Sequence, residues 1–336
     1  EAAWALSAIG PGGRAAVPAL AALVEDADID VRIAAVTALQ RVASHADVSV
    51  PALVEAMSDP EPEVRAAAAS AMDSFSNRAR LVVPALIAAL RDEQSREVAY
   101  AAADTLVRRG SPAVPGLVDL LAERSAAVRA AAAGALGGIG VRARPAIPQL
   151  IDLSHDLRPD VRQAAVQAIG RIAAARAGSR RIDFDAEFMG APSFPRARWA
   201  VEQAAILANS SVRLAPYVLA PLTEALSDDS PEVRLAGARA LGELGEEAAD
   251  AALDLAALLS DSEPKVRRVA ATAVSRVAPP RVAAESLAPL LEDEDATVQW
   301  TAARGLARLG AEGESVLSVA AGSADPRLAM AAASAL

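Results

Sequence analysis

Cysteine is absent from the 336 residues, aromatic residues supply 3 % of them, and Lys265 is the one lysine. The first absence excludes disulfides, thiolate metal sites and cysteine nucleophiles, and it fits any compartment. The second, with few β-branched runs, removes the material of strands. No run of about 18 apolar residues exists, so nothing in the sequence spans a bilayer as a helix. Basic residues are outnumbered, 33 against 43 acids, for a net charge of −10. That balance argues against nucleic acid or an anionic membrane as the main partner. What the chain has in excess is alanine, 87 residues, the strongest intrinsic helix former. An all-α fold is expected.

A repeat organises the alanines. The segment Val31-Arg32-Ile33-Ala34-Ala35-Val36-Thr37-Ala38-Leu39 returns in altered form from Val64, Val128, Val161, Val233 and Val266, with weaker copies from Val98, Val201, Val298 and Leu328. These ten anchors are separated by 33, 34, 30, 33, 40, 32, 33, 32 and 30 residues, a mean of 33. Apolar residues at the anchor and at +3, +4, +7, +8 and +11 form one helical stripe. Asp28, Ser95, Ser125, Ser230, Asp295 and Asp325 stand where an N-cap belongs. Pro62, Pro159, Pro231, Pro264 and Pro326 follow at the first helical position. Gly110, Gly140, Gly245 and Gly310 close the helix at +12. A first helix opening near Pro18, Pro51, Pro84, Pro115, Pro148 or Pro221 completes each unit.

The phrase Asp-x-x-x-Val-Arg-x-Ala-Ala-x-x-Ala-Leu-x-x-Leu-Gly, nearly whole at Val233–Gly245, resembles the HEAT-repeat family, in its short phycobilisome-lyase-type form. The resemblance implies a right-handed α-solenoid of about ten two-helix units over 1–336, with the anchor helices on its concave face. It implies a binding scaffold as the function, and a bilin lyase or chaperone-like enzyme as the alternative. Both ends are expected to cut a repeat: Trp4, Leu6 and Ile9 at one end, and Leu328 and Leu336 at the other, call for further repeats or a second chain to cover them.

No catalytic or metal constellation emerges. His45 and His155 are the only histidines, both between helices, and are expected to be solvated. The glycines at 134, 137, 138 and 140 end a helix where a dinucleotide site would join a strand to one. Lys265 follows Pro264, not a phosphate-binding loop. Asp183, Asp185 and Glu187 open like a calcium loop but lack its glycine and its closing glutamate. No cofactor is expected. Arg32, Arg65, Arg129, Arg162, Arg234 and Arg267 follow their anchors, with acids nearby, and read as a structural ladder more than as an anion track.

Two features remain for recognition. An irregular insertion at about 177–197 carries Phe184, Phe188 and Phe194, with Arg180 and Arg181, and reads either as an apolar plug or as a recognition loop. The +2 row of the anchor helices points away from the stripe and carries Ile33, Tyr100, Leu235, Trp300 and Met330. Large apolar side chains on a groove serve as anchors for a peptide or helix. At +10, Arg41, Arg108, Arg171, Arg276 and Arg308 suit helix C-termini through the dipole, or one edge of that groove. The expected partner is another protein along the concave groove. Cytoplasm is the default location, and a signal peptide ahead of residue 1 would change it.

Overall fold

The computed structural model describes residues 15–43, 46–92, 94–174, 214–323 and 326–336. Among them every regular element is an α-helix or a 3-10 turn. None of these helices is long and apolar enough to cross a membrane. The described residues fall into two compact units, one up to Ala146 and one made of 147–174 and the described residues from 214 onward.

In the first unit, short first helices alternate with anchor helices: α1 (Val17–Ala22), α2 (Ile29–Val42), α3 (Ala46–Ala56), α4 (Pro62–Ala71), α5 (Ala79–Ala89), α6 (Arg96–Arg109), α7 (Val114–Leu120) and α8 (Ala126–Ile139). A 3-10 segment, Gly140–Ala146, closes it. The even-numbered helices carry the anchors and pack in sequence, α2 on α4, α4 on α6, α6 on α8. Their stripes are sealed: Val64, Ala68, Met72, Val98, Ala102 and Leu106 are all at most 1 % exposed. Each buried leucine or methionine adds about 1.5–3 kcal/mol. Alanine at the interhelical contacts lets the helices approach. A buried Thr105 hydroxyl adds a polar tie, donating to the Ala69 carbonyl across α6 and α4 at 3.2 Å.

The second unit repeats the alternation in α9 (Ile147–Leu153), α10 (Pro159–Ala174), α11 (Ala215–Glu224), α12 (Pro231–Leu244), α13 (Ala252–Ala257), α14 (Pro264–Val277), α15 (Pro280–Leu287), α16 (Ala296–Ala307), α17 (Ala311–Ala321) and α18 (Pro326–Ala333). Its anchor helices also stack in order, and α10 packs directly on α12. A Cβ added to Gly170 would lie 2.5 Å from Ala240 Cβ, so the two helices touch through hydrogen and a methyl group. The sequence copy beginning at Val201 lies outside the described residues.

The expected start and stop signals are largely in place. Asp28, Ser95 and Asp295 cap their helices through side-chain oxygens. Ser125 and Ser230 occupy the cap position without that bond; the Ser230 hydroxyl donates to Glu232 instead. Gly110, Gly140 and Gly245 close their helices at φ of 69°, 66° and 59°, positive values at which a side chain is strained, whereas Gly310, at 62°, lies past the Arg308 cap of α16 and is the N-cap of α17. The first helices differ from expectation. Pro51, Pro84 and Pro221 do not open them but lie inside α3, α5 and α11, each of which begins before its proline. An interior proline removes one backbone hydrogen bond, and tertiary packing of the apolar face outweighs that loss. Leu328, expected to face water, is 9 % exposed in α18, while Leu336 is exposed.

Candidate interaction surface

The arginine that follows six of the ten anchors is the most regular polar feature. Arg32 Nε lies 2.7 Å from Asp59 of the next repeat, and Arg65 Nε lies 2.7 Å from Asp92. In the second unit Arg162 pairs with Asp228 and Arg234 with Asp261 at 2.7 Å, and Arg267 with Asp293 at 2.8 Å. The remaining guanidinium nitrogen turns back to its own loop: Arg65 Nη1 donates to the Asp59 and Pro60 carbonyls, Arg234 Nη1 to those of Asp228 and Asp229. Each aspartate also accepts a turn amide, as Asp228 does from Ser230 at 2.8 Å. For these five arginines the partners are supplied by the fold, so the rows they form are a ladder and not an anion track. Arg65 and Arg267 are buried, which makes the ladder tighter than an exposed row of ion pairs.

Electrostatics agree with that role. Burial pushes the Asp228 carboxyl up, but the Arg162 hydrogen bond, the Ser230 amide and the charges of Arg162 and Arg234 outweigh it and hold it below the ordinary carboxylate range. Asp92, Asp261 and Asp293 are lowered in the same way against the same burial. The ladder's spacing also marks the stack: partners are 27 residues apart at Arg32 and at Arg234, but 66 apart at Arg162. The surplus equals the length of 175–213.

Among the described residues no group of acids and histidines has the arrangement of a metal site. His45 lies outside the described residues. The His155 ring is exposed, with Nε2 3.2 Å from Glu224 Oε2, a carboxylate that the next repeat brings to it. A shallow cleft in the first unit, edged by Val54, Met57, Asp59, Arg65, Arg91 and Asp92, is lined by ladder residues already engaged.

The +2 row does face solvent. Tyr100 is 75 % exposed, Met330 68 % and Trp300 51 %, while Ile33 and Leu235 are half-buried. In the same row Ala66, Ala130 and Gln163 are half-buried and Arg268 is exposed. Large exposed apolar side chains within the anchor helices occur at +2 only; Tyr217, Leu253 and Val319 are exposed on first helices. One contact was not anticipated: the Arg304 guanidinium lies over the Trp300 ring, 4.5 Å from its centroid. Its four-residue separation on one helix face was the available signal. Of the +10 arginines, Arg108 is neutralised by Asp104 and Asp73, whereas Arg41, Arg276 and Arg308 extend into solvent. The insertion residues Arg180, Arg181, Phe184, Phe188 and Phe194 lie outside the described residues.

A family model of HEAT repeats matches 1–73, 17–106, 50–126, 83–170, 114–206 and 254–336, and a second HEAT-repeat model matches 218–248. No curated protein gives a significant sequence match. Among solved structures, a Kap121p mutant is similar over 99 % of this chain and 38 % of its own, at 14 % identity and a TM-score of 0.67. Kap95p, described by its binding to RanGDP in nuclear import complex assembly, is similar over 99 % of this chain and 48 % of its own, at 15 % identity and a TM-score of 0.64. The chain thus spans less than half the length of either. The complex of CpcE and CpcF of phycocyanin lyase from Nostoc sp. PCC7120 matches 57 % of this chain and 96 % of its own, at 24 % identity and a TM-score of 0.41. At such identities the likeness concerns the all-helical solenoid fold.

Proposed function

The chain belongs to the HEAT-repeat family, and from that premise we propose that it is a non-enzymatic scaffold that binds another protein along the outward row of its anchor helices, the side expected to be concave. The observation that carries this reading is the +2 row. On helices whose stripe is otherwise sealed, it leaves Tyr100, Trp300 and Met330 exposed at one repeat position. Single exposed apolar residues are ordinary; recurrence at one register is what a partner crossing several repeats requires. Aromatic side chains are also the residues that most often dominate binding energy. Karyopherin-like neighbours, one described with bound RanGDP, support a protein partner in general terms. Cytoplasm is the assigned default location.

Photo-crosslinking residues at Tyr100 and Trp300, against the same residues at Leu253 and Val319, test the reading. Protein adducts should form from the first pair. Adducts from the second pair alone would move the binding face to the first helices. If incubation with a free bilin and an acceptor protein produced a covalent chromophore by visible absorbance, a lyase would replace the scaffold.

A further inference from the structure

The outward face of an anchor helix comprises the positions −1, +2, +6 and +10 about its anchor, since these recur at helical spacing opposite the buried stripe. On α12 they are Glu232, Leu235, Arg239 and Glu243. On α14 they are Lys265, Arg268, Thr272 and Arg276, and on α16 Thr297, Trp300, Arg304 and Arg308. Six basic side chains therefore share one face of three consecutive helices. All six are exposed, and among the described residues none forms an ion pair with an acid. The only acids in those positions, Glu232 and Glu243, lie on α12. The first-helix side of the same unit is the reverse. Glu246, Glu247, Asp250, Asp254, Glu285, Glu292, Glu312 and Glu314 are exposed there, and Arg281 is tied to Glu285 at 3.0 Å. Within these three helices, the free positive charge of an acidic protein stands on one face.

Resting on the scaffold reading, we infer that the outward face of α12, α14 and α16 docks an acidic polypeptide segment that carries apolar side chains. Charge complementarity supplies the first half of the occupant's chemistry: packed helices stand about 8–10 Å apart, so an extended segment crossing three of them meets basic side chains on each. Leu235 and Trp300, on the outer two helices, supply the apolar contacts. A nucleic acid fits less well. One ring is a poor stacking platform, one of its faces is already covered by Arg304, and the net charge of −10 repels a polyanion from a distance.

The test uses the full chain and fluorescence anisotropy with a labelled synthetic peptide alternating Glu or Asp with Leu or Phe. It should bind, and weaken at high salt, where exposed charges are screened. The double substitution Arg268→Glu with Arg304→Glu should weaken it by at least about tenfold, and Trp300→Ala by several-fold. Arg281→Glu on the opposite side should leave peptide binding unchanged, and thermal melts of all variants should stay within a few degrees of the parent. Arg308→Gln gives a milder variant should the double reversal fail to fold. Equal binding of the same peptide with its acids replaced by lysine, or unchanged binding by the double variant, would overturn the inference. So would tighter binding of oligothymidylate. Salt-sensitive self-association in sedimentation that competes with the peptide would overturn it in favour of the acidic face of a second copy. Any of these results, alongside adducts from Tyr100 and Trp300 in the crosslinking experiment, would sink the acidic partner and leave the scaffold intact.

Discussion

Set side by side, α4 and α6 of the first unit and α14 and α16 of the second share a buried face and differ in the one turned to solvent. Both pairs bury valine at the anchor and alanine behind it, and both carry Arg-to-Asp rungs. Yet the outward positions of the first pair are Glu63, Ala66, Ser70, Ser74, Glu97, Tyr100, Asp104 and Arg108, whose one base is neutralised by Asp104 and Asp73. Those of the second hold five bases and no acid. Positions that make the repeat and positions that choose a partner are thus different residues of the same turn. Fold similarity reports on the first set alone, which is why it identifies a family and leaves the partner open.

The largest expected effect separates two anchor-helix glycines, Gly170 at +9 in α10 and Gly134 at +6 in α8. Gly170→Val should destabilise the second unit by roughly 3 kcal/mol, because the new side chain meets Ala240 Cβ and Cα and the helices must part. At Gly134 in the first unit a Cβ meets nothing within 4 Å, so Gly134→Ala should stabilise by up to about 1 kcal/mol through helix propensity. Urea unfolding of both variants checks the pair. Equal destabilisation would mean that the close approach of α10 and α12 is absent.

Next come the rungs. Asp261→Ala strands Arg234 in a notch where its side chain is 16 % exposed. The expected loss, about 2 kcal/mol, lies between the ~1 kcal/mol of an exposed pair and the ~3–5 kcal/mol of a fully buried one. Glu123→Ala, which breaks the exposed Arg91 pair of the first unit, should cost less than about 1 kcal/mol. Acid sharpens the contrast. Asp228, Asp261 and Asp293 in the second unit, and Asp92 in the first, are held below their ordinary range. A lowered folded-state pKa means that the unfolded chain takes up protons first as the pH falls below about 3.9. Stability from these groups is complete above that value and is lost as the pH drops through the folded values. Hydrogen exchange followed into that window should show the second unit losing protection more steeply than the first.

Much of this was legible beforehand, and the reason is period. A stripe repeated ten times is hard to misread, and the Arg after six of the anchors already pointed to a ladder. Three things were not legible. Prolines inside α3, α5 and α11 look like helix starts, because sequence records the missing amide but not the packing that compensates for it. The direct contact of α10 with α12 is hidden by a weak repeat copy at Val201 that fills the interval on paper. The basic face escaped because +2 and +10 were considered as separate rows, and a whole-chain charge of −10 masks a local excess. Only when −1 and +6 join them on one surface do Lys265, Arg239 and Arg304 meet Arg268, Arg276 and Arg308.

The 66-residue rung suggests a smaller experiment on the second unit. Replacing 175–213 with a short Gly-Ser link brings the spacing close to the 27 residues found elsewhere in the ladder. If α10 and α12 hold each other directly, Asp228→Ala should destabilise the shortened chain as it does the parent. Two separate melting transitions would show instead that the removed residues hold α10 and α12 together.

The smallest effect concerns the two aromatic residues of the outward row. Trp300 spans α16 beside Arg304, while Tyr100 stands on α6 with Glu97 and Asp104 in its face. Neither fills the core: at 51 % and 75 % exposure each has little apolar area to lose. Tyr100→Ala should therefore change stability by no more than about 0.5 kcal/mol. Trp300→Ala also removes the cation–π contact, which at an exposed site adds about 0.5–1 kcal/mol, so its loss should be the larger of the two and still under about 1.5 kcal/mol. Thermal melts read both. A drop of many degrees for either would place that side chain in the core and remove it from any partner surface. If both melts shift by no more than this, binding measurements on the same variants report recognition alone, and for the acidic peptide an effect confined to Trp300 is what the charge difference between the two faces requires.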